Sequence, residues 1–246
     1  MQQITDLLKL TTNRLVLANI IVYGVSQALF AGQRSGFELY YWQHQDFQVW
    51  QFLSYMFLHG SFSHLAFNMI GLWSFGRVLE RVWGARRFLI FYLGCGVGAA
   101  VIHLLVAQYQ VDQITQQIIA AGFTPTDVLS VINQGRDVSV GSAAISREVL
   151  SELYGIYNTP AVGASGAIYG ILVAFALLFP NFKIMLIFLP IPIAAKFFVP
   201  VLLLIDLSAG ITGVSIFGSN IAHFAHIGGA LIGFIMVRIW SGLARQ

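Results

Sequence analysis

Charged residues are what this sequence has least of. Aspartate, glutamate, lysine and arginine together make up 9% of its 246 residues, against roughly a quarter in soluble domains. That scarcity excludes a water-soluble globule. Cysteine is nearly absent: Cys95 stands alone in an apolar run, so no internal disulfide can form and the redox compartment stays open. A basic patch is missing too. The formal net charge is +3, but the lysines and arginines are scattered among short loops, so nucleic acid is not an expected partner. No internal repeat supports an inverted-repeat transporter. The first residues show no signal-peptide cleavage pattern, and the first apolar segment continues into a multi-span chain.

What is present is hydrophobic: 57% of the residues, with a mean hydropathy of +0.77. A bilayer-spanning helix takes about 20 residues, and six segments are long enough, near 14–33, 62–80, 86–107, 162–179, 194–211 and 221–241. Pro190 and Pro192 make 182–193 a poor continuous helix. The fifth span therefore starts after them, with Lys196 snorkelling at its aqueous end. Lys9, Arg14, Arg77, Arg81, Arg86, Arg87, Lys183, Lys196, Arg238 and Arg245 fall on one side of this arrangement, and only Arg34, Arg136 and Arg147 on the other. The positive-inside rule then puts both termini in the cytoplasm. The whole chain, 1–246, reads as a single membrane domain of all-α class.

Two outer loops stand out. Residues 35–61 carry Phe37, Tyr40, Tyr41, Trp42, Phe47, Trp50, Phe52 and Tyr55. They read either as an anchoring belt at headgroup level or as a half-immersed loop beside a substrate entrance. Residues 108–160 form a long polar insertion. Within it, Val128, Leu129 and Ile132, and again Val149, Leu150 and Leu153, have the spacing of short surface helices.

Polar groups at membrane depth are costly, so each needs a reason. Ser165, in Gly163-Ala164-Ser165-Gly166, has close helix packing as its plain reading, because small residues line membrane helix contacts. Its placement in the first turn of a helix suits a nucleophile, since free N–H groups and the positive dipole end favour a developing anion there. Gly163 and Gly166 would leave room for a substrate backbone. A serine nucleophile needs a base. His226 opens the last span from the same outer side, and the Gly229-x-x-x-Gly233 face allows its helix to approach another closely. His223, one turn nearer the surface, reads as a solvated interface residue. His64 and Asn68, four apart, share one helix face. They are either helix-to-helix bonds or a pair of donors for an oxyanion. Tyr169, one turn below Ser165, could pack under the His226 ring. His103 has no obvious partner and reads as structural.

Together these residues resemble the rhomboid family of intramembrane serine proteases, over nearly all of the transmembrane core. The stretch His59-Gly-Ser-Phe-Ser-His64-Leu-Ala-Phe-Asn68 is similar to the family's second-helix signature. Gly163-Ala164-Ser165-Gly166 with Tyr169 is similar to its nucleophile motif, and Ala225-His226 followed by Gly229 and Gly233 to its catalytic sixth helix. The turn Glu80-Arg81-Val82-Trp83-Gly84 sits where the family places a similar one. The resemblance implies a six-helix rhomboid-like bundle, a Ser165–His226 dyad without a third acid, and an oxyanion hole from the Ser165 backbone N–H, His64 and Asn68. It also implies an acyl-enzyme, hydrolysed by water from the outside. His59 matches a position that supports a water-filled cavity. Implied partners are transmembrane protein substrates in a lipid bilayer, in a bacterial inner membrane, with no metal and no cofactor. The chain departs from the family in two ways: Trp50-Gln51 stands where Trp-Arg is common, and the 108–160 insertion is long.

Other membrane proteases would leave different marks. A zinc enzyme calls for something like His-Glu-x-x-His, and His223 and His226 have no carboxylate on their helix to accompany them. An aspartyl protease needs two aspartates, and Asp206 alone lies near a span in the C-terminal half. The alternative of a different class is a catalytically silent rhomboid-like adaptor that binds transmembrane clients. Loss of the serine or the histidine would mark it, and both are present.

Overall fold

The computed structural model describes residues 9–30, 33–134, 145–186, 189–213 and 222–243. The first of the described helices, α1 (Thr11–Phe30), is largely apolar after its opening Thr11-Thr12-Asn13-Arg14. Its opening amides are held by a residue distant in sequence: the Glu80 carboxylate accepts from the Thr11 N–H at 2.6 Å, the Thr12 N–H at 2.8 Å and the Thr12 hydroxyl at 2.6 Å. A helix N-terminus leaves such donors free, and filling them from the second span pins the two together.

A docked loop follows, leading to α2 (Gln51–Ser54) and a 3₁₀ turn at Tyr55–Phe57. Ser61 caps α3 (Phe62–Gly71) by accepting from the His64 N–H at 3.1 Å. Such a hydroxyl cap fixes where a helix starts, and here it sets the position of His64. A π-helical stretch at Leu72–Gly76 carries α3 into α4 (Arg77–Trp83), so the second span is continuous to residue 83. Gly84 turns the chain at φ +79°, a conformation that favours glycine.

The third span is longer than expected. α5 runs Ala85–Ala120, 36 residues, or about 54 Å at 1.5 Å per residue. Its last turns extend into the stretch the sequence reads as an outer loop. The polar residues from Gln108 onward suggest a loop, but Val111, Ile114 and Ile118 are spaced for one helix face and are all buried. They pack with Val128, Val131 and Leu153 in one hydrophobic cluster. Those partners come from α6 (Pro125–Gln134) and α7 (Arg147–Asn158), the two surface helices expected there. Residues 135–144, with Arg136 and Asp137, lie outside the described residues, as do Arg245 and the first residue of the expected sixth span.

α8 (Ser165–Leu178) is a short apolar helix of 14 residues, starting later than the expected 162. An antiparallel hairpin follows, β1 (Lys183–Leu186) with β2 (Leu189–Ala194): Lys183 pairs with Ala194 and Ile184 with Ile193, and after a shift of register between Ile184 and Leu186, Leu186 pairs with Leu189. The prolines that exclude a helix in this stretch sit in β2. α9 (Ala195–Thr212) and α10 (His223–Leu243) complete the fold. Among the described residues, four helices are long and apolar enough to cross a membrane: α1, α5, α9 and α10. The α3–α4 helix, interrupted by its π turn, and the short α8 make up the rest of the all-α membrane bundle.

The centre of the bundle is a glycine seam. α10 packs most extensively on α8 and α5. A β-carbon on Gly229 would lie 1.8 Å from the Gly166 carbonyl oxygen, and one on Gly233 would lie 2.6 Å from Gly170 Cα. The backbones of α8 and α10 therefore touch, as small-residue membrane contacts allow.

Candidate active site

Ser165 is the first residue of α8, and the residue at its N-cap, Ala164, makes no side-chain capping bond. The chain enters through Gly163, at φ +127°, whose N–H donates to the Tyr55 carbonyl at 2.9 Å. Across the glycine seam, His226 lies in the first turn of α10. Its Nε2 stands 2.8 Å from Ser165 Oγ, a normal hydrogen-bond length. The two residues are 61 apart in sequence and meet because Gly166 and Gly229 bring their helices into contact.

Tyr169 does what its spacing suggests. Its ring stacks on His226 with centroids 4.2 Å apart and planes 10° from parallel, and its hydroxyl donates to Asp206 Oδ2. His64 and Asn68 approach the loop before Ser165 from α3. A β-carbon on Gly163 would meet His64 Nε2 at 2.7 Å and Asn68 Nδ2 at 3.6 Å. Asn68 Nδ2 is buried with no partner among the described residues. A buried donor left open is unusual and is a feature expected of a group aimed at charge that develops only during reaction. His59 is buried beside them, its ring edge-on to His64 with centroids 5.0 Å apart. Burial and the neighbouring His64 hold its pKa down at about 4. His59 is therefore neutral at pH 7.

Three expectations are corrected. Gly166 leaves no room for a substrate: its missing β-carbon would fall 2.6 Å from Ala99 Cβ and 3.4 Å from the Ala225 carbonyl, inside the bundle. His223 is not a solvated interface residue. It is buried, and its Nδ1 lies 2.5 Å from Asp206 Oδ1. Nor is an acid absent from the histidine's far side, since Asp206 Oδ1 also lies 3.2 Å from His226 Nδ1. Asp206 is on α9, only 1% exposed. An ionisable residue within a span signals function by default. That rule was available from sequence, but α9 is apolar on every side and nothing in its pattern says which way Asp206 faces.

Asp206, His223 and His226 present ligand atoms within 4.8 Å of one another, a set able to hold a metal ion. The carboxylate missing from the His223/His226 helix thus arrives from α9. Here those atoms are engaged with one another through hydrogen bonds.

The loop before α2 is fastened by Gln51. The side chain is fully buried: Oε1 accepts from the Tyr40 N–H at 3.2 Å, and Nε2 donates to the Gly36 and Asp46 carbonyls at 3.0 and 2.8 Å. A neutral amide, with both donor and acceptor, thereby closes the loop on itself. Leu39 and Ala161 exchange backbone hydrogen bonds at 2.8–2.9 Å, tying this loop to the approach of α8. Of its aromatics, Tyr40, Tyr41 and Tyr55 are buried in the body, while Phe37 and Trp50 face outward.

Comparison with known proteins bears on the family of the chain. A model of the Rhomboid domain matches residues 46–126 and 137–242. Rhomboid protein 1, mitochondrial, of Saccharomyces cerevisiae is 26% identical over 179 residues, covering 73% of this chain and 38% of that protein. Rhomboid protease AarA of Providencia stuartii is 28% identical over 194 residues, covering 76% of this chain and 54% of that protein. Rhomboid protease GluP of Bacillus subtilis is 38% identical over 60 residues, 24% of this chain and 12% of that protein. The match spans less than two thirds of each relative's own length.

Proposed function

The chain belongs to the rhomboid family, and on that footing we propose that it is an intramembrane serine endopeptidase that cuts transmembrane segments of other membrane proteins through Ser165 and His226. The observation that carries the reading is the 2.8 Å contact between Ser165 Oγ and His226 Nε2 at the start of α8, where the N-cap residue Ala164 offers no capping side chain. As Oγ bonds to the scissile carbonyl carbon, its proton passes to Nε2. The oxyanion faces the Ser165 N–H with His64 and Asn68 as further donors. The proton then goes to the leaving amine as the C–N bond breaks, and water, activated by the same Nε2, hydrolyses the acyl-enzyme. Gly163 shapes the approach to the serine, and Tyr169 holds the base's ring.

The protein is an integral membrane protein. We place it as one domain in a bacterial inner membrane, with both termini cytoplasmic and the 108–160 region outside. A helical peptide bond is sterically shielded, so clients with small or helix-breaking residues near the cut are the preferred class. Equal cleavage of a poly-Leu span and a Gly-containing one would contradict that preference.

A fluorophosphonate probe on the purified protein in liposomes tests the central claim. Wild type is expected to be labelled, and Ser165→Ala and His226→Ala are not. If folded wild type is not labelled, or is labelled no faster than Ser165→Ala, the alternative of a client-binding adaptor replaces the protease.

A further inference from the structure

Resting on the Ser165–His226 reading, we propose that Asp206 is a third member of the site, a positioning residue that sets the tautomer of His226 and balances its charge during proton transfer. The starting observation is the cost of Asp206 itself. A carboxylate buried in an apolar span is tolerated only when its acceptor sites are filled. Here Tyr169 donates to Oδ2, and His223 and His226 approach Oδ1 through Nδ1 at 2.5 and 3.2 Å. Three side chains from two other helices converge on one acid, and two of them also touch each other, Tyr169 stacking on His226.

The consequence is chemical. A neutral imidazole carries one N–H and one lone pair. An ionised carboxylate only accepts, so the Nδ1 facing Asp206 must hold the proton. Nε2 is then the lone pair, and it is Nε2 that faces Ser165 Oγ. Without Asp206 nothing selects this tautomer, and the other one presents Nε2–H, which cannot take a proton from serine. During attack the serine proton moves to Nε2 as the Oγ–carbon bond forms. His226 becomes an imidazolium that keeps its Nδ1–H on Asp206, and Asp206 stays ionised throughout. This is the arrangement of a Ser-His-Asp triad, with the acid supplied from α9. The other titratable groups acting on His226 are His64 on α3 and His103 on α5, and His223 and Tyr169 flank it. Among the described residues, only Asp206 brings a negative charge to this group.

A metal ion on the same three ligands is the rival. Coordination through His226 Nδ1 would put the proton on Nε2 and disable the base, so the two roles exclude each other.

The full-length protein is tested in three ways. Asp206→Asn, measured per folded molecule, is expected to lower kcat on a transmembrane substrate by about 10²–10⁴-fold with KM changed less than about threefold. Asp206→Glu, which keeps the charge, should recover at least a tenth of kcat; a role limited to pinning α9 in place would not separate Glu from Asn this way. In a His223→Ala background, ¹⁵N spectra of labelled histidine should show His226 as the Nδ1–H tautomer, lost on adding Asp206→Asn. The inference is overturned by a wild-type kcat in Asp206→Asn, by a His226 tautomer that ignores Asp206, or by loss of wild-type activity on chelation with return on adding Zn²⁺. The tautomer readout needs no turnover, so a protein that fails to label at Ser165 would refute the protease reading while leaving this inference to stand or fall by itself.

Discussion

Replacing Gly229 by alanine should disable the site without touching either reacting residue. The new β-carbon would lie 1.8 Å from the Gly166 carbonyl oxygen, and such contacts essentially never fall under 3.0 Å. The obstacle is backbone, so no side chain can swing aside. α10 must move off α8 by at least the missing 1.2 Å, the difference between those two distances. His226 is three residues earlier on α10, and Ser165 is adjacent to Gly166. A separation of that size stretches their 2.8 Å contact to about 4 Å, beyond a hydrogen bond. Misplacement of about 1 Å can cost about 100-fold in rate, and overpacking of this kind costs about 1–3 kcal/mol in stability. The assay is the rate of fluorophosphonate labelling in liposomes, read beside thermal unfolding. Gly24→Ala on α1, where nothing lies within 4 Å, is the control and should label like wild type. A Gly229→Ala protein that labels at the wild-type rate would refute the claim that this seam sets the serine–histidine distance.

Three further outcomes follow from the same geometry. Asn68→Ala removes an unpartnered buried donor, so kcat should fall about 10²–10³-fold with no loss of melting temperature; a loss of melting temperature alone would make Asn68 structural. His59 has its pKa depressed from 6.5 to about 4 by burial and by His64. Its neutral form is favoured by folding, so its contribution is full above pH 6.5 and is lost as pH falls towards 4, up to about 3 kcal/mol. Thermal unfolding scanned between pH 7 and 4.5 should therefore show a shallower pH slope for His59→Gln, and an unchanged slope would contradict the assignment. Gln51→Ala strips three hydrogen bonds from the first outer loop, at a cost of about 1–3 kcal/mol. Hydrogen exchange over 36–50 should rise, and wild-type protection there would show the loop is held by other contacts.

Much of this protein is determined by sequence alone. Apolar length and the scarcity of charge dictate a helical membrane bundle, because a span must satisfy its own backbone hydrogen bonds in lipid. Local rules reach as far as one helix: Tyr169 one turn from Ser165, His64 and Asn68 on one face, the glycines of α10 lined up for a close contact. They fail where polarity masks periodicity, as in the last turns of α5, which bury Val111, Ile114 and Ile118 beneath exposed polar residues. They fail also where the partner is distant. Gln51 gives no sign in sequence that its amide will fasten Gly36, Tyr40 and Asp46. Asp206 lies 37, 17 and 20 residues from Tyr169, His223 and His226, on a helix apolar all round. The rotation of such a helix about its axis is decided by what packs against it, and only the tertiary structure turns this acid toward the histidine.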